Sequence, residues 1–169
     1  MLDAFRMLAH MALPKVPEEV FDLWLNQRIE NNGWPPVGPT WHKVLGRMPL
    51  QDWQQLTWRK ATVNLDSAPF TSNTQAILNG LIGANFHGEL DEYTKMLAHS
   101  QRKIMNISRY MAAHRKLPSK LIFVVRQDGL ELIDGFHRLA TYFFRKPSAV
   151  LNPPVSSEAA AWIGTSESS

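Results

Sequence analysis

The most restrictive stretch of the chain is Leu121-Ile122-Phe123-Val124-Val125, followed by Asp128-Gly129 and then Leu130-Glu131-Leu132-Ile133. A run of β-branched, aromatic and aliphatic residues favours extended backbone. Asp-Gly is a hairpin turn signal, because the turn needs positive φ at its central residues. The second apolar run is therefore read as the returning strand. Asp134-Gly135 breaks it, and His137 to Arg145 reads as a helix that stops before Pro147. Such a hairpin must bury its apolar face, so the expected class is α+β: a small mixed sheet flanked by helices, with a helical N-terminal extension.

The junction between that strand and helix carries chemistry. The first-turn N–H groups of a helix have no partners within it, and together with the helix dipole they attract anions. Gly135 permits a sharp turn and a close approach by a phosphate. His137 and Arg138 add side-chain donors, and a guanidinium at Arg138 can hold a phosphate by two parallel hydrogen bonds. Asp134 is read as ordering the loop or holding a metal ion. The alternative is a plain turn with Asp134 as helix cap and Arg138 in solvent.

Charge points the same way. The net charge is +3, yet from His99 to Gln127 there are seven basic residues and no acid: Arg102, Lys103, Arg109, Arg115, Lys116, Lys120 and Arg126. Such a cluster suits a nucleotide or polyanion partner, and Arg102, Lys103, Arg109, Arg115 and Lys116 are the candidates for DNA contact. A solvated helix face is the alternative. The chain has no cysteine, which excludes disulfides, thiol catalysis and zinc–thiolate sites and suits a cytoplasmic location. Met1 to Leu13 is too short, and too interrupted by Arg6 and His10, for a membrane span. It lacks the marks of a signal peptide and is expected to be a docking helix.

Upstream, Pro17-Glu18-Glu19 opens a helix that carries Val20, Phe21, Trp24, Leu25 and Arg28 at helical spacing and ends at Asn31-Asn32-Gly33. Gly33 to Pro39 is a rigid loop in which Trp34 is the tryptophan expected to be exposed, whereas Trp24, Trp53 and Trp58 are expected in the core. Leu50 to Trp58 reads as a short helix and 61–72 as a connector. Ser72-Asn73-Thr74-Gln75 has capping-box spacing, with a helix continuing to Leu81. Glu89 to Ala98 and Arg102 to His114 read as further helices. The expected organisation is a helical extension over 1–75, a domain over 76–152 and a Ser/Glu/Ala-rich tail over 153–169, with its last residues mobile. His87-x-Glu89 is a weak metal pair, His99 and His114 are expected at the surface, and neither a P-loop nor a G-x-G-x-x-G motif is present.

The run Lys120-Leu-Ile-Phe-Val-Val, Asp128-Gly129 and Leu132-Ile-Asp-Gly-Phe-His-Arg-Leu-Ala140 resembles the ParB/sulfiredoxin superfamily over about residues 86–150. The resemblance implies that Gly135, Phe136, His137 and Arg138 form a nucleotide-binding loop, with Lys103 and Arg109 as further contacts from the upstream helix. Sulfiredoxin chemistry needs a cysteine where Phe136 stands, so that reaction is excluded. About twenty residues follow the matching region, which is taken as evidence against a complete partition protein.

The favoured expectation is an ATP-binding, ATP-hydrolysing protein acting on DNA as a nuclease, similar to the group that suppresses conjugative plasmid transfer. Asp134, His137 and Arg138 would be catalytic, with Mg²⁺ at Asp134. A kinase acting on a hydroxyl is the second reading, with Glu89 or Glu92 as base. A nucleotide-binding module without turnover, docked on a protein partner through the Trp-rich N-terminal half, is the third.

Overall fold

The computed structural model describes residues 1–87, 97–146 and 154–166. The N-terminal part is helical: α1 (Leu2–Ala12), α2 (Glu18–Val20), a π-helical segment (Phe21–Leu25), α3 (Asn26–Asn32), α4 (Pro39–Val44) and α5 (Leu50–Gln54). There follow β1 (Leu56–Asn64), α6 (Ser72–Phe86), α7 (Leu97–His114), β2 (Leu121–Arg126), β3 (Gly129–Asp134), α8 (Phe136–Arg145) and β4 (Glu158–Ser166). The expected α+β class holds. No helix among the described residues is long and apolar enough to cross a membrane.

Among the described residues the sheet has four strands in the order β1-β4-β2-β3. β4 runs antiparallel to β1 and parallel to β2, while β2 and β3 form the hairpin anticipated from Asp128-Gly129. Strand alternation sends neighbouring side chains to opposite faces. Leu56, Ile122, Val124, Ile133 and Trp162 pack into one core with Phe21, Trp24, Trp41 and Trp53 of the N-terminal helices. Val63, Leu121, Phe123, Leu132, Ala161 and Ile163 pack into a second core with Leu78, Met111, Leu139 and Tyr142 of α6, α7 and α8. Burial on both faces explains why β2 is an unbroken apolar run rather than an alternating one.

Three readings of local structure are corrected. The helix expected over Leu50 to Trp58 stops at Gln54, and the supposed connector is β1 through Asn64. Thr57, Trp58, Thr62 and Val63 are strand formers, but interleaved Arg59, Lys60 and Asn64 disguise them. The supposed tail contains β4, which lies between β1 and β2. Its Glu-Ala-Ala-Ala opening has helical propensity, overridden by two hydrogen-bonded neighbours. Trp34, expected at the surface, is buried and meets Trp41 edge-on with ring centroids 5.7 Å apart. Trp24 and Trp53 do lie in the core, stacked at 5.2 Å. α6 begins one residue after its cap, Thr71, whose hydroxyl accepts from the Thr74 N–H at 3.2 Å, and it runs past Leu81 to Phe86. The helix expected over Glu89 to Ala98 falls mostly outside the described residues.

β3 is an edge strand, and the segment before α6 covers it. The Leu130 N–H donates to the Pro69 carbonyl at 2.7 Å, the Thr71 N–H to the Leu130 carbonyl at 3.1 Å, and the Leu132 N–H to Thr74 Oγ1 at 2.9 Å. Gly129 makes the approach possible: at φ +135°, a Cβ there would stand 2.0 Å from the Pro69 oxygen. The N-terminal helices are tied to the sheet through Glu19, whose carboxylate accepts from Lys120 of the β2 approach, from Lys60 Nζ at 3.3 Å and from Trp162 Nε1 at 3.0 Å.

Two outcomes follow. Ending the chain after Ser157 should abolish a cooperative thermal transition followed by circular dichroism, because β1 and β2 lose their shared neighbour; a folded truncation would contradict this topology. Hydrogen bonding from Lys120 holds the Glu19 carboxyl at about 2, below its ordinary 4.5. A depressed folded pKa gives stability above the ordinary value that is lost as pH falls through the folded one. Glu19→Gln should therefore lower the melting temperature at neutral pH, and the gap from wild type should close between pH 4.5 and 2. A gap that stays constant with pH would remove Glu19 from this role.

Candidate functional site

The hairpin delivers its end, Asp134, to the start of α8, and the turn between them is set by Gly135. Its φ is +110°, and a Cβ there would stand 2.3 Å from a Leu121 methyl and 3.2 Å from Arg138 Nη2, so both backbone angle and space require glycine. α8 starts at Phe136, and its first intrahelical bond is the Leu139 N–H to the Gly135 carbonyl at 2.9 Å. The N–H groups of Phe136 and Arg138 precede that bond, in the first turn, where the helix offers no acceptor.

These residues line one wall of a cleft of about 480 Å³. The opposite walls come from α7, through Lys103, Asn106 and Ile107, and from the N-terminal helices, through Leu23, Gln27 and Arg28. Pro118 and Ser119, between α7 and β2, close one side. Asp134 is the one carboxylate in the described lining. The cleft thus joins three basic side chains, Arg28, Lys103 and Arg138, with an imidazole and a helix amino end, which together favour an anion.

Arg138 has a different task from the free two-pronged grip expected of it. Its Nη1 donates to the Lys120 carbonyl at 2.8 Å and the Pro118 carbonyl at 3.2 Å, and its Nη2 donates to Asp134 Oδ2 at 2.5 Å. The side chain is 13% exposed. Burial pulls the guanidinium below its ordinary pKa, and the Asp134 carboxylate opposes that shift. The geometry serves backbone satisfaction: two carbonyls of the segment entering β2 receive donors from the largely buried guanidinium. Arg138 therefore braces the loop that shapes the cleft, and Asp134 orders that loop as one of its two expected roles.

His137 lies in the cleft wall, with Nε2 3.0 Å from the Oγ of Ser100, a buried residue in the first turns of α7. Its carbonyl accepts from Thr141 Oγ1 at 2.6 Å. Lys103 lines the cleft, whereas Arg102 and Arg109 are exposed outside it. They lie seven residues apart on one stripe of α7, roughly 100° around the helix from Lys103. Arg115 is half-buried with a positive φ of 58°, and Lys116 borders a separate depression beside Tyr110 and Glu158. Lys120 is committed to Glu19. The basic residues of 99–127 thus do not form one surface. Glu89 and Glu92 lie outside the described residues, as does Glu89 of the His87-x-Glu89 pair. No group of three His, Asp or Glu side chains able to hold a metal occurs among the described residues.

Sequence reasoning missed Ser100, Gln27 and Leu23, for which no local signal exists. Arg28 had one: it closes an otherwise apolar helical stripe, where a cation must face an opening rather than the core.

Arg138→Ala leaves two carbonyls and a carboxylate without their donor. It should reduce stability to urea by about 3 kcal/mol, and Asp134→Asn by less, about 1 kcal/mol. An Arg138→Ala protein with an unchanged urea midpoint would disprove the brace. No family model matches the chain, and no curated protein or solved structure matches it.

Proposed function

We propose that the cleft binds the phosphates of a nucleotide, and that the chain is an ATP-hydrolysing protein acting on DNA. The observation that carries this reading is the meeting of Arg28, Lys103, His137 and the first turn of α8 in one opening. About 480 Å³ falls in the range of small-molecule sites, roughly 300–1,000 Å³. Arg28 and Lys103 come from different elements, so a polyphosphate between them would be held from two sides while the α8 amides take its oxygens. Leu23 and Ile107 give apolar surface for a ring, and Gln27 and Asn106 give amides for its polar edge.

ATP as the nucleotide and DNA as the target come from the family resemblance. Support for DNA is the Arg102–Arg109 stripe, which lies beside the cleft and is open to solvent. The His137–Ser100 hydrogen bond supports a role for the imidazole in holding or moving a proton. Mg²⁺ would add charge stabilisation to a bound polyphosphate. Asp134 is the described carboxylate available to it, already paired with Arg138, so the ion fits as a passenger on the phosphates rather than in a protein cage.

Titration with labelled ATP tests the binding. Lys103→Ala and Arg28→Ala should each weaken it about tenfold, the loss expected for one charged hydrogen bond. Unchanged affinity in both variants would sink the reading. Binding to DNA should fall steeply with added salt, because phosphate contacts release counterions, and Arg102→Ala with Arg109→Ala should flatten that dependence. ATP bound without phosphate release or plasmid nicking would leave a binding protein in place of a hydrolase.

A further inference from the structure

A second cavity, of about 210 Å³, shares Phe136 with the cleft but is otherwise built from different residues. At its inner side is Glu131 of β3, 5% exposed. Thr71 Oγ1 and Asn73 Nδ2 donate to its carboxylate, and Thr74 Oγ1 does so at 3.3 Å. All three donors are neutral, and no ion pair among the described residues involves Glu131. A carboxylate withdrawn from water is costly unless an opposite charge meets it. The amino end of α6 offsets part of that charge; no side-chain cation does. The outer lining has the reverse sign. Lys43 and Arg47 border the same cavity, both exposed. Between the two ends the walls are apolar, with Val44, Ile77 and Ile133.

We propose that this cavity is a second ligand site, taking a small zwitterion: a primary ammonium against the Glu131 carboxylate and a carboxylate or phosphate between Lys43 and Arg47. A simple amine would meet the two cations on entering, and a simple acid would meet Glu131 at the end. A molecule with both charges, separated by a short methylene chain along the apolar walls, satisfies both ends. The site stands independently of the nucleotide reading, since neither Arg28 nor Lys103 takes part.

Calorimetric titration of the full chain with glycine, β-alanine and γ-aminobutyrate tests it, with propylamine and propanoate as single-charge controls. At least one zwitterion should bind at least tenfold more tightly than either control. Lys43→Glu and Arg47→Glu should each weaken that binding about tenfold while leaving ATP affinity unchanged; both positions are exposed and outside the hydrogen bonds to Glu131. Glu131→Gln should abolish the preference for zwitterion over propanoate. No zwitterion binding below about 10 mM, propanoate binding as tightly, or affinity indifferent to Lys43→Glu and Arg47→Glu would each overturn the proposal. A wild-type chain that binds a zwitterion but no ATP would refute the nucleotide reading and leave this one intact.

Discussion

The parallel contact between β4 and β2 holds the two halves of the molecule in one body. β1 comes after the N-terminal helices, and β2 and β3 come after α7. Neither group forms a continuous sheet until Glu158–Ser166 is inserted between them. Once it is there, each face of the sheet has a full apolar surface. The tryptophan-bearing helices cover one face, and α6, α7 and α8 cover the other. The long sequence separation of this pairing costs loop entropy, which burial on both faces offsets.

That arrangement sets where chemistry can occur. The cleft lies at the end of the β2–β3 hairpin, where α8 departs from the sheet and where helices from both faces come within reach of its first turn. Arg28 arrives from one side of the sheet and Lys103 from the other. Arg138, the most conspicuous cation of the loop by sequence, is turned inward, where it donates to two backbone carbonyls of the segment before β2. Among the described residues, the cations left for a ligand are those without such obligations. The same logic separates Lys120, held by Glu19, from Lys103. Charge counting along the chain does not distinguish the two.

Much of the C-terminal half was legible from residue patterns. The hairpin, the glycine turn and the amphipathic α8 follow from local rules: β-prone runs, an Asp-Gly turn, a residue needing positive φ. The π-segment, β1 and β4 were not legible, since their identity depends on what lies next to them. Thr57 to Asn64 alternates polar and apolar residues too loosely to declare a strand, and the alanines of β4 suit a helix equally well. Trp34 sits in a proline loop that reads as surface, yet it is buried in the N-terminal core, edge-on to Trp41.

For the candidate site, Gly135 and His137 were named from the chain itself, Phe136 and Lys103 from the family resemblance, and the structure gathers the four in one cleft. Their proximity follows from short-range geometry in the loop, and for Lys103 from the phase of a single helix. Arg28, Gln27 and Ser100, and in the second cavity the buried Glu131, belong to the tertiary structure. Each is brought into place by elements distant in sequence, and no local propensity encodes such a meeting. The sequence by itself determined the turn, the glycine and the sign of the charge. Only folding decided which cations face a ligand, because a guanidinium or ammonium goes first to whatever buried acceptor the packed backbone leaves unsatisfied.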